Sequence, residues 1–564
     1  MLPKTLSHLS TNRVRGIICS VFLILLIIVS RLFFIQIVKY KTYTQLAELQ
    51  QEGNGNASNK RGEIYFENKD GSIVPAATTN TGYLLYINPK LIQNEEVVFE
   101  KINSITPIDK EMFTKIVSKK NDPFEIVKHK LGQDEAEKIK NLSIEGVEVK
   151  EEDWRYYPGG RLASHVVGFV STISKKPEGR YGIEKQYDGV LGGTTDTAHT
   201  SSNNFLDALR RELKNEKERG QNITLTIEPS VEQFIEGELD ALQKKWHPSA
   251  GGILILEPAT GKIRGMAAIP NFNSNEYQKE KDFSVFLNPF VEKIFELGSV
   301  FKPLTMASAL DQGLVTPDTT YVDRGELKIG NATIKNYDGK ARGVRTMTQI
   351  LEESLNTGAV FVMQRLGKEK FKDYFQKFGF SERTGIDVPG ELKGNLTNLE
   401  SGREVEFATA SFGQGIAVTP IELIMALSSL ANGGRLIQPS VVENATPAKI
   451  IRQVIKPETS QTITKMLVDV VDMSLAGGQA KLPHYSIAAK TGTAQIHKEN
   501  GKGYYDNQYL HSFFGYFPAY DPRFLIFMFL MHPQGVQYAS QSLTESFRKI
   551  VDFSINYYTI PPDR

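Results

Sequence analysis

Residues 484–496 read HYSIAAKTGTAQI, 511–518 read HSFFGYFP and 523–533 read RFLIFMFLMHP. Apolar and aromatic runs of this length, punctuated by Gly and Pro, predict three successive antiparallel strands. Upstream, TLTI at 224–227 and GGILILEP at 251–258 read as further buried strands. Between about 299 and 485 the pattern is mostly helical. Strands, helices, then strands predict an α+β domain, an antiparallel sheet flanked by helices. No internal repeat is visible.

The first of these strands carries a glycine in its interior, within Lys490-Thr491-Gly492, which Thr493 extends. Glycine weakens a strand unless another backbone or a ligand must come close. Backbone N–H groups on such an edge can bind an oxyanion or pair with an extended peptide. Lys490 and Thr493 then converge on one cleft. The plain alternative, a lysine at a strand end before a turn, fits less well with the two strands downstream.

Two other short motifs precede it, Ser299-Val300-Phe301-Lys302 and Ser354-Leu355-Asn356. Each alone is weak, because Ser546-Phe547-Arg548-Lys549 and Ser554-Ile555-Asn556 repeat the same two patterns. Order, long spacing and context make the set specific. Gly298 precedes Ser299 and Pro303 follows Lys302, so a helix is expected to begin at or just before Ser299. Ser299 and Lys302 are then neighbours on one face. A serine needs an adjacent base to become a nucleophile. A lysine can serve only when burial or a nearby cation lowers its pKa, and Lys490 can supply that cation. Read alone, the motif also fits an N-cap serine with a surface lysine one turn on.

The amino terminus has a different texture. Residues 16–30 read GIICSVFLILLIIVS without a charge, Arg31 interrupts, and LFFIQIV resumes at Leu32. The uncharged run is short of the ~20 residues that span a bilayer. Residues 14–38 suffice if Arg31 snorkels outward. Lys4, Arg13 and Arg15 put the amino terminus in the cytoplasm and everything after about residue 40 outside. A cleaved signal peptide is the alternative, but no A-x-A-like site lies after the run. Residues 41–60 read as a helical stalk running into a flexible stretch, and 194–222 as a polar, charged connector.

Composition narrows the function further. The chain has 564 residues, 40% hydrophobic and 23% charged, with formal net charge +1. A near-neutral balance argues against a nucleic-acid binder. Cys19 is the single cysteine, so neither an internal disulfide nor a thiolate metal cluster is expected. Bulky Ile18 before it argues against lipidation. No HExxH and no GxxxxGK[ST] occurs, and no metal or cofactor is expected. An exported domain lacks a dependable ATP supply, which suits a bond exchange that conserves acyl energy.

The chain resembles the class B penicillin-binding proteins, monofunctional peptidoglycan D,D-transpeptidases. The likeness rests on Arg61-Gly62-Glu63-Ile64, RYYPGGRLASHVVGFV (155–170), GRYGIEKQYDGVLGG (179–193), IFELGSVFKP (294–303), SFGQGIAVTP (411–420) and AAKTGTAQ (488–495). It runs from about residue 14 to about 555. Departures are Phe66, Glu67 and Asn68 where an Asp-Arg pair is usual, Leu297 where Pro is common, and Ala489 where Gly is common.

The resemblance implies a cytoplasmic tail at 1–13, an anchor at 14–38, an elongated mixed α/β pedestal or dimerisation-like domain at 39–220, and a serine β-lactamase-like transpeptidase domain at 221–564. It implies that Ser299 is acylated and Lys302 takes its proton. Ser354 relays a proton to the leaving amine, and Asn356 holds Lys302 and contacts the substrate amide. Lys490 and Thr491 shape the electrostatics, Thr491 and Gly492 join Thr493 in binding substrate, and Thr493 binds the donor's terminal carboxylate. The N–H groups of Ser299 and Thr493 form the oxyanion hole. Stem peptides and β-lactams are the expected ligands, with a glycan polymerase as membrane partner; Gly16 allows close helix contact there, although a simple lipid-facing helix also fits. A D,D-carboxypeptidase or β-lactamase-like hydrolase uses the same motifs. The long segment between anchor and catalytic core argues against it. A β-lactam sensor needs a larger cytoplasmic part, and an idle scaffold needs none of the reacting groups.

Overall fold

The computed structural model describes residues 11–33, 61–171, 177–193, 220–443, 448–478, 480–498 and 503–564. The expected stalk at 41–60 and most of the expected connector, 194–219, lie outside the described residues. The chain divides into two units, residues 1–60 with 204–219, and residues 61–203 with 220–564.

Within the first unit, helix α1 runs Thr11–Phe33. Its Ile18, Val21, Phe22, Leu23 and Leu25 side chains are each more than half exposed. Among the described residues no helix is long and apolar enough to cross a membrane. The outer end of the expected span, 34–38, lies outside them.

The second unit begins with a mixed sheet of β1 (Ile64–Glu67), β2 (Ile73–Ile87), β3 (Glu125–Leu131), β4 (Val147–Tyr156) and β5 (Ile223–Leu225). The long β2 pairs antiparallel with β1 through its first part and with β3 and β4 through its second. Three helices, Glu95–Asn103, Lys110–Val117 and Gln133–Asn141, bury Val98, Ile102, Phe113 and Ile139 against Leu85, Ile87 and Val127. Residues 83–87 form the end of β2, and 134–140 lie inside the third of these helices. The TLTI segment differs from its reading as a strand of the catalytic sheet. Its strand, β5, runs parallel to β1, and Leu225 bridges Val442 on the other side. It therefore stitches the pedestal sheet to the segment around Val442.

The larger sheet holds β6 (Ala250–Leu256), β7 (Ile263–Ile269), β8 (Ala488–His497), β9 (Tyr504–Phe517) and β10 (Phe524–Met531), in the order β8-β9-β10-β6-β7. Every neighbouring pair is antiparallel. Side chains of β10 alternate between two cores. Leu525, Phe527 and Phe529 face one, and Phe524, Ile526, Met528 and Leu530 face the other. Both faces are covered, which is why 523–533 shows no polar alternation. Helices α2 (Pro229–Trp246) and α7 (Ala539–Tyr558) close the second face with Ile235, Leu239, Leu543 and Phe547.

The first face receives the helical part, including α3 (Lys302–Asp311), α4 (Asn356–Leu366), α5 (Pro420–Ala431) and α6 (Pro457–Asp469). Helix α5 starts on a capping box of Thr419 and Glu422 with Pro at its first turn. This part is less purely helical than its sequence pattern. Two-stranded ribbons pair Thr320–Asp323 with Gly343–Thr346, Glu326–Ile329 with Ala332–Lys335, and Arg435–Ile437 with Ile450–Gln453. They are three or four residues long, too short to set up a readable alternation.

Candidate active site

Ser299 sits on a 3-10 turn, Gly298–Phe301, that runs into α3 at Lys302 with Pro303 in the first helical turn. The α-helix proper thus begins three residues after Ser299, and the 3-10 turn occupies the expected start. Gly298 has a φ of +69°, which a glycine adopts at little cost. Its N–H donates to the Gly413 carbonyl at 3.2 Å, so the SFGQG segment grips the turn from behind. A side chain at Gly492 would place a Cβ 2.3 Å from Ser512 Oγ and 2.7 Å from the Leu297 carbonyl. Ser512 Oγ itself donates to that carbonyl at 2.7 Å. The interior glycine of β8 therefore admits another backbone, the turn carrying Ser299.

Two lysines meet beside that turn. Lys302 Nζ donates to the Ser354 carbonyl at 2.5 Å and to Ser354 Oγ at 3.2 Å. Lys490 Nζ donates to the same Oγ at 2.9 Å and to the Thr491 carbonyl at 3.0 Å. Ser354 takes a φ of +52°, rare for a residue with a side chain, and this turns its carbonyl and hydroxyl toward the lysines. Lys302 and Lys490 are 1% and 2% exposed, and neither hydrogen-bonds a carboxylate. Burial, then the charge of Lys490, holds the Lys302 ammonium well below its ordinary value. Burial pushes Lys490 down to about 7. A hydroxyl has one proton and two lone pairs, so Ser354 can accept from one amine and donate to the other. The three groups form a path for a proton beside Ser299.

They open on a cleft of about 710 Å³ lined by Ser299, Ser354, Asn356, Lys490, Thr491 and Thr493. Two of the expected contacts differ. The Asn356 amide donates to the Lys335 carbonyl at 2.9 Å, on a β-ribbon, and does not hold Lys302. The left-handed backbone of Ser354 brings that residue's own carbonyl to Lys302 and leaves Asn356 to begin α4. Gly492 does not line the cleft, because its face is filled by Leu297 and Ser512. Thr493 Oγ1 accepts from the Ala539 N–H at 3.0 Å, at the start of α7.

The cleft has walls that sequence reasoning missed. Tyr337 and Tyr538 stand on its rim with ring centroids 5.8 Å apart, and Glu352 lines it two residues before Ser354. Tyr337 follows an exposed ribbon and Tyr538 lies between two elements, so no periodic signal marks either. Glu352 was visible beside a motif, but only the fold turns it inward.

A hydroxyl at a helix start, served by buried lysines under tension to lose their protons, is the machinery of serine acyl transfer. The chain belongs to the penicillin-binding proteins, and within them to the class B transpeptidases, which carry a dimerisation domain ahead of the catalytic one. The family described as penicillin binding protein transpeptidase domain matches residues 251–552, and penicillin-binding protein dimerisation domain matches 56–225. The chain is 32% identical to stage V sporulation protein D of Bacillus subtilis over 533 residues, 91% of this chain and 80% of that protein. It is 26% identical to peptidoglycan D,D-transpeptidase FtsI of Buchnera aphidicola over 567 residues, 98% of this chain and 96% of that one. Among solved structures, penicillin-binding protein 2X of Streptococcus thermophilus superposes with a TM-score of 0.71 at 20% identity, over 88% of this chain and 79% of that one. Penicillin-binding protein 3 of Mycobacterium tuberculosis, complexed with aztreonam, gives 0.63 at 26% identity, over 73% and 92%.

Proposed function

We propose that this chain is a peptidoglycan D,D-transpeptidase that cross-links stem peptides through an acyl-enzyme on Ser299 and is inhibited by β-lactams. The observation that carries this reading is the Ser354 hydroxyl shared by Lys302 and Lys490 beside the Ser299 turn. Neutral Lys302 takes the Ser299 proton as Oγ attacks the carbonyl of the penultimate D-alanine. The oxyanion is held by the N–H groups of Ser299 and Thr493, a contribution of ~10²–10³ in rate per donor in comparable sites. The C–N bond then breaks, and Ser354 passes the proton to the leaving D-alanine amine. An amine of a second stem peptide attacks the ester, forms the new amide and returns its proton along the same path. Lys490 and Thr491 shape the field of the cleft, and Thr493 binds the donor carboxylate. Asn356, from the cleft wall, contacts the substrate amide. A β-lactam enters as the donor does, and its opened ring stays on Ser299.

Mass spectrometry after incubation with labelled penicillin tests this. Wild type is expected to carry one stable adduct on Ser299, and Ser299→Ala none. An adduct elsewhere, or its survival in Ser299→Ala, overturns the assignment. Rapid decay of the adduct in water, unchanged by added acceptor amine, makes the enzyme a hydrolase instead.

We further infer that the chain is a single-pass membrane protein with a cytoplasmic amino terminus and an extracytoplasmic catalytic domain. Support comes from the uncharged run 16–30, the basic residues before it and the outward apolar side chains of α1. The same segment is where a glycan polymerase would dock, since no part of the chain reads as a glycosyltransferase. Alkaline extraction of membranes tests the anchor. Full-length protein should stay in the pellet, and release of the full chain into the wash overturns the reading.

A further inference from the structure

His511 stands on β9 directly opposite Thr493 of β8, and it is fully buried. Both ring nitrogens have partners. Nε2 lies 3.0 Å from the Gln537 carbonyl, and Nδ1 lies 2.8 Å from Ser542 Oγ. A carbonyl only accepts, so Nε2 carries the proton and Nδ1 of the neutral ring accepts from the Ser542 hydroxyl. Burial pushes the His511 pKa down to about 4, which keeps the ring neutral near pH 7. Gln537 and Ser542 flank Ala539, the residue whose N–H donates to Thr493 Oγ1. Gln537 and Tyr538 also line the cleft. A hydroxyl that accepts from a fixed N–H has its own hydrogen left to point elsewhere, and Thr493 faces the cleft.

We propose that His511 is a positioning residue: it clamps the 537–542 turn to the sheet, and so aims the Thr493 hydroxyl as a donor toward the substrate carboxylate. His511, Ser542 and Ala539 are buried and Thr493 is half-buried, with Gln537 alone exposed, so the aim is set before substrate arrives. The signal is absent from the three sequence motifs, since His511 lies 18 residues beyond Thr493 and reaches it only through strand pairing. The inference rests on the reading of Thr493 as the carboxylate-binding residue.

The test compares acylation rates of the full-length protein by a penicillin and by its methyl ester, which lacks the anion. Wild type is expected to prefer the free carboxylate strongly. Thr493→Val should lose most of that preference. His511→Ala should lower it about tenfold, as a misdirected bond to a charged group implies, while its rate with the ester stays within about twofold. Ser542→Ala removes the donor to Nδ1, with the longer 3.3 Å contact to the Ala539 carbonyl, and should shift the preference the same way by less. It decides the question if His511→Ala does not fold. If both variants slow ester and acid alike, or leave the preference intact while Thr493→Val loses it, the His511 assignment is overturned and the Thr493 reading stands. If Thr493→Val keeps the preference, that reading fails and the inference falls with it.

Discussion

Two of the buried-charge clusters in the second unit have neighbours of opposite sign. In the pedestal, Glu184 is fully buried between Arg61 and Arg155, each Nε 2.6 Å from one of its carboxylate oxygens. Asp188 takes Arg61 Nη1 at 2.7 Å. Burial by itself lowers the Arg61 pKa, but Glu184 and Asp188 outweigh it and the net shift is upward. In the cleft, Lys302 and Lys490 are buried just as completely, with a shared serine and no carboxylate between them. There both shifts run downward. Burial is common to the two places. The sign of the neighbour decides whether a charge is locked in for structure or made labile for chemistry.

The sharpest way to break this contrast is to remove one charge from each cluster. Lys302→Met should cut the rate of Ser299 acylation by ~10²–10⁴, the usual worth of a general base. Its melting temperature should hold or rise, because a buried amine with no carboxylate partner is removed. A large fall in melting temperature would mean that the lysine is structural after all. Glu184→Gln should do the reverse. It leaves the buried Arg155 guanidinium uncompensated and Arg61 with Asp188 alone, at a cost of about 3–5 kcal/mol in unfolding free energy. The fraction that remains folded should acylate at the wild-type rate. Denaturant unfolding and a penicillin titration on the same sample measure both.

The cleft should also show a pH signature. Lys490 moves from an ordinary 10.5 to about 7 in the folded chain. Between those two values the unfolded chain holds a proton that the folded one has lost, so this residue makes stability rise with pH across that window. Below about pH 7 both states are protonated and the full cost of burying the charge is present. Lys490→Met should therefore be more stable than wild type at pH 7 by a few kcal/mol, at ~1.4 kcal/mol per pK unit. That advantage should shrink as the pH approaches 10. A constant difference from pH 7 to pH 10 would show that Lys490 is not held in a depressed state.

Much of this is legible in the sequence. The apolar run 524–531 reads as a strand, and β10 is that strand, with both faces covered. Gly492 reads as a place of close approach, and the approaching group is the Leu297 backbone. Ser299, Lys302, Ser354 and Lys490 read as partners from motif order, and the fold brings them together. What stayed hidden depends on long-range pairing. Asn356 turns to Lys335 because Ser354 adopts a left-handed backbone, which no local pattern foretells. The segment 224–227 reads as a catalytic strand, yet its partner is set by β1, more than 150 residues earlier in sequence. Strand β7, with Arg264 and Gly265 inside it, carries too mixed a pattern to be read as a strand.

A third cluster limits how far the contrast can be pushed. Glu232 and Glu236 are one turn apart on α2, and burial raises both carboxyl groups above their ordinary range. Glu232 Oε2 accepts from the Met266 N–H at 2.7 Å, and Glu236 Oε1 accepts from the Ala163 N–H at 3.0 Å, a contact between pedestal and catalytic part. Like charges are buried together here too, but neither residue lines the cleft. Labile charge without access is then only a strain on the fold. A carboxyl raised in the folded state contributes stability at low pH that is lost as the pH climbs through its folded value. Glu236→Gln keeps an acceptor for Ala163 and removes the charge. It should match wild type near pH 5 and exceed it by about 1–2 kcal/mol near pH 8, with acylation unchanged. If acylation falls while the melting temperature does not, the pedestal contact is coupled to the cleft. Access would then be the wrong criterion, and a buried like-charged pair would mark function wherever it lies.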